Sequence, residues 1–204
     1  MPPNSNKTAV ERRHVMAWGN STVRYGAVAI TLHWLIAAAI LFMFWLGPYM
    51  ANLSETDPWQ FPLFQLHKSI GLTILVLSIA RLAWRLINPV PALPDHMPAW
   101  ERGAAHAVHY ALYALMIVVP LFGWATVSAA PIAVPTMWFG LFEWPHMSFL
   151  ADLPRAQRGP FEEPLATTHA ILAFSMMGLV LLHFAAALKH QFKDRDDVLK
   201  HMLP

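Results

Sequence analysis

Four stretches of this chain are long and apolar enough to cross a bilayer, which takes about 20 helical residues: Ala27 to Met50, Phe64 to Ile87, Ala107 to Ser128, and Leu165 to Leu188. The pattern predicts an all-α integral membrane four-helix bundle in a single transmembrane domain, residues 27–188. Between the third and fourth stretches, residues 129–164 carry Pro131, Pro135, Pro145, Pro154, Pro160 and Pro164 together with Trp138 and Trp144. Proline at that density excludes a spanning helix, and amphipathic indole rings suit the headgroup zone, so this segment reads as a surface loop. Residues 1–26 form a polar extension and residues 189–204 a polar tail. The extension is too long for a typical signal-peptide n-region, so the first helix is expected to remain uncleaved.

The basic residues orient the bundle. Lys7, Arg12, Arg13 and Arg24 precede the first helix, Arg81, Arg85 and Arg102 flank the second connection, and Lys189, Lys193, Arg195 and Lys200 follow the fourth helix. Of 14 lysines and arginines, Lys68, Arg155 and Arg158 alone fall on the opposite side. By the positive-inside rule both termini are cytoplasmic and the proline-rich loop is periplasmic. With 56% hydrophobic and 13% charged residues, the chain lies outside the range of soluble domains. It contains no cysteine, which excludes disulfides, thiolate metal sites, iron–sulfur clusters and covalently attached haem. The net charge of +2 does not imply nucleic acid.

Histidines inside apolar helices need a chemical reason. His169 and His183 lie 14 residues apart in the fourth stretch, close to four full turns, so both rings project from nearly one face about 21 Å apart along the axis. His33 lies near the cytoplasmic end of the first helix and His67 near the periplasmic start of the second. The alternating helix directions therefore sort four histidines into two levels, His33 with His183 inside and His67 with His169 outside. Two neutral imidazoles per level suit a low-spin haem b, whereas zinc or copper would want more ligands than either level supplies. A hydrogen-bonded core histidine is the plainer reading of any one of them, but not of four that pair by depth.

Arg81 follows His67 by 14 residues and falls on the same face at the cytoplasmic level, in place to meet a haem propionate; Arg85, one turn later, offers the same or simply anchors the helix. Gly71 would let a flat macrocycle approach the second helix, although small residues also serve helix packing. His106 and His109 open the third helix, and His190 lies two turns beyond His183. They are candidates for propionate contacts or proton handling at a quinone, or are interfacial histidines in partial contact with water. His14, His96, His146 and His201 carry no such signal.

The segments RYGAVAITLHWL (24–35), LHKSIGLTILVLSIARLAWRL (66–86), AHAVHYALYALMIVVPLFGW (105–124) and THAILAFSMMGLVLLHFAAALKH (168–190) together resemble the bacterial cytochrome b561 family of four-helix, di-haem b inner-membrane proteins. The resemblance spans about residues 24–200. It implies that His33, His67, His169 and His183 are the axial ligands of two non-covalent haems, with ubiquinone as electron partner at the cytoplasmic haem. One branch looks like a superoxide oxidase, a superoxide:ubiquinone oxidoreductase taking electrons from periplasmic superoxide. Two features depart from that branch. The N-terminal extension has no counterpart, and the periplasmic side sets Lys68, Arg155 and Arg158 against Glu55, Asp57, Glu143, Asp152, Glu162 and Glu163, a balance that steers an anion poorly unless folding gathers the cations around the outer haem. The rival reading is a cytochrome b subunit that anchors a periplasmic dehydrogenase or hydrogenase and accepts its electrons. A haem-free transporter with a histidine proton relay is a third.

Overall fold

In a computed structural model of the chain, residues 18–94, 96–132 and 134–203 are described; most of the polar N-terminal extension, including His14, lies outside them. The elements in order are α1 (Ala27–Ala51), α2 (Gln60–Ile87), α3 (Ala99–Ala129), a two-stranded hairpin of β1 (Thr136–Trp138) and β2 (Phe142–Trp144), the single turn α4 (Ser148–Ala151), and α5 (Arg155–Lys189). A π-helical turn, His190–Asp194, and a 3-10 turn, Lys200–Met202, follow. The four long helices, α1, α2, α3 and α5, are each long and apolar enough to span a bilayer. They form the four-helix bundle expected from the hydrophobic pattern.

Helix α5 starts ten residues before the apolar stretch does, with Pro160 and Pro164 inside it. Each proline forfeits one hydrogen bond, but both sit in a polar extension with Arg155, Arg158, Glu162 and Glu163, where water can satisfy the freed carbonyls. Proline density therefore excludes a membrane span here without excluding a helix. The remainder of the loop holds α4 and the hairpin, paired Thr136 with Trp144 and Trp138 with Phe142.

The core is a mid-membrane layer of Ile36, Ile40, Ile74, Met116, Val119 and Met176. Four of these follow a histidine of their own helix by seven residues: Ile40 after His33, Ile74 after His67, Met116 after His109 and Met176 after His169. Seven residues are nearly two turns, so each stays on the face that points into the bundle. Met176 is the sole fully buried residue of α5. Large side chains such as Leu41, Trp45, Ile79, Phe174, Leu181 and Phe184 instead point outward, as a lipid-facing surface requires.

At the C-terminal end of α5 the tail folds back. Lys189 ion-pairs with Glu101 and with Asp194, and His190 Nδ1 lies 2.7 Å from Asp196 Oδ2. Further on, Trp34 Nε1 donates to the Met202 carbonyl at 2.7 Å and Arg24 to that of Leu203 at 3.1 Å. The tail thus joins α5 to α1, two helices whose main packing partners are α3 and α2 respectively.

Candidate functional site

Continuing the seven-residue step once more places a second polar or small residue on each inward face. The resulting pairs, 14 residues apart, are His33 and Gly47 on α1, His67 and Arg81 on α2, His109 and Gly123 on α3, and His169 and His183 on α5. Because neighbouring helices run in opposite directions, one tier, outer in the expected orientation, collects Gly47, His67, Gly123 and His169, and the other, inner in that orientation, collects His33, Arg81, His109 and His183. The core layer separates them.

In the outer tier the His67 and His169 ring centroids are 6.0 Å apart, with planes inclined by 77°. In the inner tier His33 and His183 are 6.3 Å apart, inclined by 79°. An imidazole nitrogen lies about 1.1 Å from its ring centroid and metal–imidazole bonds run at about 2.0–2.1 Å, so two rings on opposite sides of one metal stand roughly 6.3 Å apart. Both pairs match that spacing. Both also cross seams where α5 lacks extensive packing against the partner helix, since its main contact is with α3.

The outer tier is shaped by what its glycines leave out. A Cβ at Gly123 would lie 3.1 Å from His169 Cε1 and 3.2 Å from its Nδ1, and one at Gly47 would lie 3.6 Å from His67 Cε1. A cavity of about 530 Å³ results, lined by these residues with Gly71, Phe44, Met43 and Ala173, and with Asn52, Lys68 and Thr136 toward its outer end. This is the size of a small-molecule or cofactor site. His169 Nδ1 lies 2.9 Å from the Val119 carbonyl, which only accepts, so Nδ1 carries the proton and Nε2 keeps its lone pair for a ligand. Pro120, next in sequence, lacks an N–H and with Gly123 thins the helix wall at this point. His67 Nδ1 is buried and has no partner among the described residues. An unmet buried nitrogen, a cradle that a Cβ would fill and a tautomer fixed for ligation all fit a haem held between imidazoles.

The inner tier is crowded instead. The His109 ring lies 5.3 Å from that of His183. Arg81 Nη1 donates to the Ala29 carbonyl at 2.7 Å, and the Arg81 and Arg85 guanidiniums lie 5.9 and 5.4 Å from the Tyr113 ring. The bond to Ala29 brings Arg81 onto α1 one turn from His33. His109 and Arg81 therefore join the inner pair. His190 does not: its ring faces Asp196, Asp194 and Glu101 at the tail. Glu101, His190 and Asp194 bring metal-capable atoms together, but the Lys189 ammonium is ion-paired to both carboxylates, and the cluster reads as a charge network. His106 stacks on Tyr110. Gly71 lines the cavity, with the Met43 methyl 3.8 Å from where its Cβ would be. Of the three outer cations Lys68 alone lines the cavity, its Nζ 3.2 Å from the Pro135 carbonyl.

Sequence reading missed Gly47, Gly123 and the Val119 carbonyl. The 14-residue step from His33 and from His109 would have found both glycines.

An apolar four-helix bundle with paired imidazoles in two tiers defines a membrane cytochrome. Comparison with known proteins gives the family. The family model for prokaryotic cytochrome b561 matches residues 24–204. The chain belongs to this family, and is accordingly a multi-pass protein of the bacterial inner membrane, an oxidoreductase of electron transport in a family that binds haem b. It is 38% identical over 191 residues to cytochrome b561 homolog 2 of Escherichia coli (strain K12), covering 92% of this chain and 95% of that protein. It is 27% identical over 187 residues to the probable superoxide oxidase CybB of Yersinia pestis, covering 89% and 96%. With cytochrome b562 of Cereibacter sphaeroides it shares 28% identity over 190 residues, covering 88% and 94%.

Proposed function

We propose that this chain carries electrons between a periplasmic donor and membrane ubiquinone, with one haem b between His67 and His169 and a second between His33 and His183. The observation that carries this reading is the pair of imidazole separations, 6.0 and 6.3 Å, repeated at two depths of one bundle. Haem iron would supply reversible one-electron chemistry, with His67, His169, His33 and His183 as the residues that would hold it. The chain's own residues do the rest. The Val119 carbonyl orients His169. The layer of Ile40, Ile74, Met116 and Met176 keeps water from between the tiers. Arg81 sets a positive charge beside the inner pair, in the region where both termini are expected to be cytoplasmic.

Superoxide is the donor supported by the probable activity in the name of the Yersinia relative and by Lys68 at the rim of the outer cavity. The reaction balances as two superoxide anions, one ubiquinone and two protons giving two dioxygen and one ubiquinol. The six carboxylates against three cations in the outer segments favour the other reading, docking of a periplasmic redox protein such as a dehydrogenase or hydrogenase subunit.

Reconstitution in liposomes containing ubiquinone, with an enzymatic source of superoxide, separates the two. The expected result is one ubiquinol for every two superoxide anions, abolished by superoxide dismutase and slowed in Lys68→Gln. Ubiquinol formation only with a co-purified periplasmic partner would reject superoxide, and a purified protein without b-type absorption bands would reject the haem assignment.

A further inference from the structure

The hairpin is fastened to one stripe of α2. Gln65, Ser69 and Thr73 recur every four residues, on the face of α2 turned away from His67. Gln65 Nε2 donates to the Pro135 carbonyl at 2.8 Å, and its Oε1 accepts from the Met137 N–H at 3.2 Å. Ser69 Oγ donates to the Met137 carbonyl at 3.1 Å and accepts the Phe139 N–H at 3.0 Å, while Trp138 Nε1 donates to Thr73 Oγ1 at 3.1 Å. Counted from Phe64, where the apolar stretch of α2 begins, Ser69 lies roughly 7 Å and Thr73 roughly 13 Å along the helix at about 1.5 Å per residue. The hairpin therefore descends alongside α2 rather than lying above it.

Three further features suit hydrocarbon. From Ala129 to Phe142 there is no charged residue, and Thr136 is the sole polar side chain. Non-helical backbone survives at membrane depth only if its polar groups are satisfied within the protein, and the β1 edge that would otherwise be bare is paired by Gln65 and Ser69. The tip turns through Phe139 and Gly140, both with positive φ (48° and 73°), closed by the Leu141 N–H on the Trp138 carbonyl at 2.9 Å. This compact turn presents Phe139, Leu141 and Phe142 outward at 47%, 72% and 48% exposure. Such a cluster is costly in water and at home among acyl chains. The first charge, Glu143, sits opposite Met137, back at the level of Gln65 near the end of the span.

We propose that the Thr136–Trp144 hairpin is a re-entrant element seated in the outer leaflet, with Phe139, Leu141 and Phe142 in contact with lipid acyl chains. It acts as a fifth membrane element against α2, with Thr136 at its base lining the outer cavity.

The absence of native cysteine makes the test direct. Leu141→Cys, Phe142→Cys and a reference Glu55→Cys in the exposed α1–α2 connection are spin-labelled in the full-length, haem-loaded protein in liposomes, with haem absorption confirming the fold. Collision rates are then compared for dioxygen, which concentrates in hydrocarbon, and for a water-soluble nickel chelate. The expected result is dioxygen access exceeding nickel access several-fold at 141 and 142, with the order reversed at 55. Nickel access at 141 and 142 equal to that at 55 would place the tip in water and overturn the proposal. Shielding from both reagents would place it against protein, a partner or a second copy, and overturn it equally. None of these readouts depends on the electron donor or acceptor.

Discussion

The outer and inner tiers are cut from the same four helix faces at the same 14-residue step, yet they differ in what stands beside each histidine pair. Outside, the two remaining positions are Gly47 and Gly123; inside, they are Arg81 and His109. Glycine removes side chain and creates space, so the outer site is governed by shape, with backbone as its wall and a cavity of about 530 Å³ between. An imidazole and a guanidinium fill space and add charge, so the inner site is governed by electrostatics. One scaffold can therefore carry two sites of like chemistry and unlike properties. The layer of Ile40, Ile74, Met116 and Met176 between them gives reason to expect that each responds to mutation separately.

That independence is most severely tested by removing one ligand from each tier. His169→Ala is expected to halve the haem content, from two to one per chain in a pyridine haemochromogen assay, and to leave the inner component of a redox titration in place. His33→Ala is expected to give the converse. Loss of both haems from either change would mean that the tiers fold as a unit, and loss of neither would remove the assignment altogether.

A smaller effect probes shape alone. At Gly123 a Cβ would already stand 3.1 Å from His169 Cε1, so Gly123→Ala forces the ring or α3 to shift, at a cost of about 1–3 kcal/mol typical of overpacking. The outer haem should dissociate faster on transfer to apomyoglobin, and Gly123→Leu should abolish its binding. Gly103, with nothing within 4 Å of a Cβ, is the control: Gly103→Ala should leave both haems unchanged. Equal behaviour of the two alanine variants would refute the cradle.

How much of this was legible in the sequence depends on the kind of signal. The four helices were, because a bilayer demands a long apolar run whatever the tertiary contacts. The two histidine levels were, because helix direction and depth follow from chain order. Gly47 and Gly123 were not singled out, because a glycine in an apolar helix looks the same whether it faces lipid, a packed neighbour or an imidazole. The start of α5 at Arg155 was hidden by Pro160 and Pro164, whose cost depends on whether water reaches the freed carbonyls. His190 shares a helical face with His183 on spacing, but the carboxylates that draw it into the tail come from α3 and from residues after α5, which no local pattern links.

The mildest test addresses charge. Arg81 is the one guanidinium on an inward-facing seven-residue step, and its bond to the Ala29 carbonyl holds it one turn from His33. A cation beside a haem favours the reduced form, since the ferric state carries one more positive charge. At a separation on the order of 10 Å and an effective dielectric of about 20, the interaction is about 1.7 kcal/mol, equivalent to about 70 mV for one electron. Arg81→Gln keeps a donor within reach of the Ala29 carbonyl while removing the charge, so the inner midpoint potential should fall by some tens of millivolts in a spectroelectrochemical titration. The outer potential should move far less, because the outer pair lies about 21 Å farther along the bundle. A common shift of both potentials would show that the charge is felt across the apolar layer, and the contrast between a tier set by shape and a tier set by charge would fail.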